Sequence, residues 1–168
     1  MNLVELADQH YRKFGEQVSV IFEGQEYTNL QLLRFADQLA NGLKQLGLEM
    51  GDRVMVMLMN SPEVLISYQG ILRAGGIIVP VISFLGDREI MHILRNSEAK
   101  VLITNRNLLG KIEKGRATLE NLRDILIVED EEVPETIRFW DLVKKSSAEP
   151  VDTDRSPLLP ISTNMTWL

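Results

Sequence analysis

A doubly wound α/β fold is predicted, with a parallel sheet of about four to five strands, flanking helices and a small N-terminal hairpin. Three observations predict it. Four short runs, Val54 to Leu58, Ile77 to Val81, Lys100 to Thr104 and Asp124 to Val128, are apolar on successive positions without polar alternation. Strands buried on both faces of a parallel sheet read this way. Between successive runs lie segments with helical periodicity, so strand and helix alternate, and parallel strands joined by helices cross over right-handedly. The chain of 168 residues is 45% apolar and 25% charged. That length suffices for one domain burying roughly 70% of its unfolded surface, and that composition excludes collagen, coiled coil and disorder.

Element by element, Leu3, Leu6, Ala7, Tyr11 and Phe14 recur at helical spacing and predict a short amphipathic helix that stops near Gly15. Val18 to Phe22 and Gln25 to Tyr27, split by Glu23-Gly24, predict a hairpin. Thr28 followed by Gln31 is a capping-box pair, in which each side chain satisfies a backbone N–H left free at a helix start. Leu32, Ala36, Leu39, Leu43 and Leu46 then form one stripe of a helix over 29–46, ended by Gly47. After Gly51-Asp52 comes the first buried strand.

Pro62 suits a first helical turn behind Asn60-Ser61, and that helix runs to about Ala74 before Gly75-Gly76 stops it. Pro80 marks the end of, or an irregularity in, the next strand. Asp87 is expected to cap a helix to about Asn96. A further helix is expected from Asn105 to about Glu113, then a loop at Lys114 to Arg116. The acidic run Glu129 to Glu132 reads as a solvated loop before Pro134, and a short element follows around Ile137 to Val143. From Ser146 onward no periodicity is found. Residues 1–145 are expected to form the folded unit and 146–168 a linker or aberrant tail.

Composition limits function. Eighteen Lys and Arg against 24 Asp and Glu give a net charge of −6, which opposes binding to nucleic acid or an anionic membrane. Without cysteine there is no disulfide, thiolate metal site or cysteine nucleophile. The N-terminus has no secretory signature and no apolar run is long enough for a transmembrane segment, so a cytoplasmic, soluble protein is the expectation.

The candidate residues mostly read as structural. No GxGxxG or GxxxxGK[ST] loop is present, and Gly75-Gly76 precedes a strand instead of opening a helix. His10 and His92 have no ligand-spaced partner and read as helix-face histidines. Asp152 and Asp154 have the spacing to touch a divalent ion but read as an exposed loop. Asn164 fits a glycosylation acceptor that means nothing without a secretory signal. Ser61 is the best-placed polar side chain, where a parallel strand ends and a helix begins. It lacks the glycines of a nucleophile elbow and a paired histidine, so N-cap duty is the stronger reading.

Taken as a set, Thr28 to Gly47, Gly51-Asp52-Arg53-Val54, Asn60-Ser61-Pro62-Glu63, Gly70 to Gly76, Val79-Pro80-Val81, Arg88-Glu89-Ile90 and Ser97 to Ile103 resemble the opening of the AMP-dependent synthetase and ligase family. The resemblance spans about residue 3 to residue 143, and the wording is nearest to bacterial fatty-acid–CoA ligases. It implies a two-step reaction: a carboxylate attacks the α-phosphate of ATP to give an acyl adenylate and pyrophosphate, and the thiol of coenzyme A then displaces AMP. ATP, magnesium and CoA are the cofactors implied for the full-length family, with catalysis largely by charge stabilisation and positioning.

The matched part corresponds to the first subdomain of the family's large domain. In the family an acidic linker, a strand and a phosphate loop ending in Pro-Lys-Gly come next, and Arg155 to Leu168 resembles none of them. No catalytic, cofactor-binding or metal residue is therefore assigned. The expectation is an N-terminal acyl-CoA synthetase fragment, inactive alone, whose gene ends out of frame or truncated. Weak self-association through sheet surface left exposed is also expected. The alternatives are a non-catalytic α/β module binding a nucleotide or a protein near Ser61 and Ser83, and a remnant with no ligand.

Overall fold

The computed structural model describes residues 3–151. The chain opens with helix α1 (Leu3–Phe14) and a two-stranded antiparallel hairpin, β1 (Val18–Phe22) and β2 (Gln25–Thr28). Helix α2 (Asn29–Gln45) follows, and then alternation begins: β3 (Arg53–Met57), α3 (Pro62–Arg73), β4 (Ile77–Pro80), α4 (Asp87–Ser97), β5 (Val101–Thr104), α5 (Arg106–Leu109), a 3₁₀ turn (Glu113–Thr118) and β6 (Asp124–Ile127). The last elements are β7 (Ile137–Arg138) and α6 (Phe139–Lys145). Five strands form one sheet in the order β4-β3-β5-β6-β7, and every neighbouring pair is parallel.

The absence of alternation in the strands has its cause in two cores. Val54, Val56, Val101, Ile103 and Leu126 point to one face, where Leu39, Leu43, Ile66, Ile71, Phe139 and Val143 of α2, α3 and α6 cover them. Their strand neighbours Met55, Met57, Leu102, Ile125 and Ile127 point to the other face, against Ile90, Leu94, Leu108, Leu109 and Ile112. Side chains alternate in direction along a strand, so a sheet covered on both sides needs apolar residues at every position.

Local chemistry sets the helix ends. The Thr28 hydroxyl accepts from Gln31 N at 3.1 Å while Gln31 Oε1 accepts from Thr28 N at 3.0 Å, the reciprocal pair that the sequence predicts. Thr28→Ala removes one half of it and is expected to cost about 1 kcal/mol of unfolding free energy in urea titration. Gly75 stops α3 with φ +82°, a left-handed conformation that side chains resist. Gly70 lets α3 approach α2 closely, since a Cβ there would lie 2.8 Å from Leu39 Cδ2.

Three elements differ from expectation. The N-cap of α4 is Gly86, with Asp87 already helical, because the Glu89 carboxylate reaches back to accept the Gly86 N–H at 2.8 Å. The helix expected over 105–113 is a single turn, capped by Asn105 Oδ1 on Leu108 N at 2.8 Å. Leu108, Leu109 and Ile112 then dock into the second core, and the expected loop at 114–116 lies inside the 3₁₀ turn. The short element expected around 137–143 is present, as the two-residue β7 leading directly into α6.

Beyond α6, residues 146–151 run back along α2. Ser146 is buried, Val151 packs on the first core, and Asn41 Nδ2 donates to Ser147 O at 2.9 Å and Glu149 O at 2.8 Å. Asp152, Asp154 and Asn164 lie outside the described residues. Among the described residues no helix is long and apolar enough to cross a membrane.

Candidate functional site at the carboxyl edge of the sheet

The chain leaves β3 through α3 to β4 on one side, then returns through α4 past β3 to β5 on the other. The strand order therefore reverses between β3 and β5, and the loops after these strands diverge there. In open α/β sheets this switch point is where ligands gather. Thr104 Oγ1 donates to Met57 O at 2.9 Å and fixes the two strand ends together.

Ser61 stands at this point, as expected, in the N-cap position of α3 with φ −160° and ψ 166°. Its hydroxyl makes no capping bond, contrary to the N-cap role read from the sequence. Pro62 has no N–H to offer, and Val64 N bonds the Ser61 backbone carbonyl at 3.2 Å instead of the hydroxyl. Opposite, Asn105 is committed to its cap, and the Glu129 carboxylate accepts the Arg106 backbone N–H through both oxygens at 3.1 Å. The Arg106 guanidinium pairs with Glu131. Glu63, in the first turn of α3, accepts Trp140 Nε1–H at 3.2 Å.

Ser83 lies in the loop after β4, where Lys111 Nζ donates to Ser83 O and Leu85 O, each at 2.7 Å. That ammonium holds a loop whose apolar side chains face solvent: Phe84 is 88% exposed and Ile82 66%. Met59, in the adjoining loop after β3, is 61% exposed. These three exposed apolar side chains thus lie in the loops that follow two neighbouring strands, β3 and β4.

Among the described residues no three His, Asp or Glu side chains are grouped to hold a metal ion, and no glycine-rich turn presents backbone N–H groups to a phosphate. His10 and His92 are exposed on α1 and α4. The His10 ring sits 4.8 Å from that of Phe14, and His92 Nε2 lies 2.9 Å from Asn96 Nδ2.

Two charge clusters missed by sequence reasoning lie away from this edge. Arg73, at the end of α3 and 2% exposed, bonds Asp37 of α2 at 3.0 Å and Asp8 of α1 at 2.5 Å. The signal was present, since Arg73 shares the buried phase of its helix with Ile66 and Gly70. Asp52, at the amino end of β3, accepts Lys100 Nζ at 2.8 Å and Glu49 N at 2.9 Å. Burial pushes the Asp52 carboxyl up, but the Lys100 ammonium and the Glu49 N–H outweigh it and hold its pKa below the ordinary value.

A depressed carboxylate contributes stability that is present above its unfolded pKa of about 3.9 and is lost as pH falls through the lower folded value. Asp52→Asn is therefore expected to lower the urea midpoint at pH 7, with a difference from wild type that closes below about pH 4.

Five parallel strands wound in both directions from β3, with helices on both faces, define a doubly wound α/β protein. The sequence profile of the AMP-binding enzyme family matches residues 7–161. The chain belongs to that family. It is 38% identical over 115 residues to the long-chain-fatty-acid–CoA ligase of Bacillus subtilis (strain 168), covering 68% of this chain and 20% of that protein. It is 29% identical over 166 residues to 4-coumarate–CoA ligase 1 of Petroselinum crispum, covering 95% of this chain and 30% of that one. Among solved structures, the anthranilate CoA ligase AuaEII in complex with anthranoyl-AMP superposes with a TM-score of 0.84 at 27% identity, over 89% of this chain and 29% of that chain. The chain thus spans between 20% and 30% of the length of these relatives.

Proposed function

We propose that this chain is the N-terminal subdomain of an acyl-CoA synthetase, with residues 1–145 as the subdomain and 146–168 as a linker or aberrant tail. The full reaction joins a carboxylic acid, of the fatty-acid class, to coenzyme A. A carboxylate oxygen attacks the α-phosphorus of ATP and pyrophosphate leaves with the electrons of the broken P–O bond. The CoA thiol then loses its proton, sulfur adds to the acyl carbonyl, and AMP leaves. The observation that carries this reading is the family match across 7–161 together with relatives that are CoA ligases by name.

The chain alone is inactive on this reading. ATP, magnesium and CoA belong to the complete enzyme. A cytoplasmic location is consistent with such substrates. The net charge of −6 supports the absence of a nucleic-acid partner, and exposed Met59, Ile82 and Phe84 support weak self-association.

ATP–pyrophosphate exchange tests the reading: the purified chain with a panel of fatty acids is expected to show none above blank, and exchange above blank overturns the inactivity. Thermal melting with ATP, AMP or CoA is expected to show no shift, because only a ligand bound by the folded state raises the midpoint. A shift favours the nucleotide-binding module instead. In sedimentation at high concentration the weight-average mass is expected to exceed the monomer's 19.1 kDa. A strictly monomeric profile removes the self-association.

A further inference from the structure

Lys111 ties together two stretches of chain that leave the sheet on either side of β3. It follows α5, on the chain leaving β5, and its ammonium donates to Ser83 O and Leu85 O, each at 2.7 Å, in the loop that follows β4. β4 and β5 are the two neighbours of β3. The bridge therefore joins the chain from both flanks of the strand that leads to Ser61.

Little else holds the loop. Among the described residues, the backbone of 82–85 makes no other hydrogen bond to the rest of the fold, and its one internal bond, from Leu85 N to Ile82 O, is long at 3.4 Å. Leu85 packs on the second core, whereas Ile82 and Phe84 face solvent. Segments with few backbone bonds and few buried contacts are the first to open. The other end of the bridge is firm, since Leu109 and Ile112 are buried in the second core and Lys111 N donates to Leu108 O at 3.0 Å. Hydrogen bonds from an ionised donor are roughly twice as strong as neutral ones, so the two from this ammonium outweigh the loop's own long bond.

We propose that Lys111 is a strap: its ammonium sets where the 82–85 loop stands against the chain leaving β5, and with it the opening at the carboxyl end of β3. It acts as a positioning residue. The proposal is independent of the adenylation reading, and its test does not read ligase activity.

The sequence has no cysteine, so Phe84→Cys with Asn107→Cys puts a pair of nitroxide labels on exposed positions across the strap of the full 168-residue chain, with no competing site. Electron–electron distance measurement is expected to give one narrow distribution. Lys111→Met keeps an unbranched apolar stem, removes the donors and is expected to give a broad distribution extended to longer distances, whereas Lys111→Arg keeps a cationic donor and the narrow one. Without labels, the backbone amide order parameters of Ser83 to Leu85 are expected to fall from about 0.85 in the wild type to below about 0.6 in Lys111→Met. The wild type also carries a test that needs no variant: the Lys111 ammonium protons are expected to exchange with water more slowly than those of exposed Lys114. A distribution in Lys111→Met as narrow as the wild type's, an Arg variant as broad as the Met variant, order lost equally across Arg106–Leu109, or Lys111 protons exchanging as fast as those of Lys114 overturns the strap.

Discussion

Arg73→Ala is expected to remove about 3–5 kcal/mol of unfolding free energy, the cost of breaking a buried ion pair from one side. The guanidinium sits at the end of α3 with 2% of its side chain exposed, and it is the charge that answers Asp37 on α2 and Asp8 on α1. Without it, two carboxylates in poorly solvated positions lose that cation, and three helices lose a common tie. A small domain has only about 5–15 kcal/mol in total, so the variant stands near the edge of folding.

Urea titration gives the magnitude. Amide exchange gives the location, with faster exchange expected across Leu3–Phe14 than across the sheet. Arg73→Ala combined with Asp37→Ala is expected to cost less than the sum of the two single changes, because partners in one network are not additive. A loss below about 1 kcal/mol, with additive behaviour, contradicts the role given to this cluster.

Phe139→Ala is expected to cost a similar amount, about 3–5 kcal/mol, for a different reason. Its ring is fully buried in the first core and meets Trp140 edge-on at 5.4 Å, where the two-residue β7 passes into α6. The substitution removes apolar area and leaves a cavity that the surrounding helices fill only in part. Trp140 is a built-in reporter, since its indole N–H is fixed on Glu63 and its ring also contacts Phe35 at 5.2 Å. A changed tryptophan emission in the folded state is expected alongside the lowered urea midpoint. Unchanged emission and a loss under about 1 kcal/mol would show that α6 is not anchored through this ring.

Much of the fold is legible in the sequence because its signals are local. The reciprocal cap of Thr28 and Gln31, the stop at Gly47 and the stripe from Leu32 to Leu46 each involve residues a few positions apart, and each stands in the structure. The doubly apolar strands disclose a sheet covered on both faces, and the ordered motifs from Thr28 to Ile103 disclose the family. Expectation failed at α4 through a competing local bond and after Asn105 through tertiary packing. Gly86 displaces Asp87 as a cap because Glu89 reaches back, and the helix after Asn105 ends after one turn because its leucines are drawn into the second core.

The candidate site was legible only as a place. Ser61 falls at the end of a buried strand in the sequence and at the switch point in the structure, but its hydroxyl's freedom from capping follows from the bond Val64 makes to the Ser61 carbonyl. By itself the sequence determined the order and kind of most elements, many of their ends and the family, since these rest on chemistry within a turn or two of chain. The tertiary structure alone decided the strand order β4-β3-β5-β6-β7, the meeting of Asp8, Asp37 and Arg73, and the bridge from Lys111 to the loop after β4. Each of these joins residues tens of positions apart, whose approach is set by how two apolar cores close around one sheet and not by any pattern along the chain.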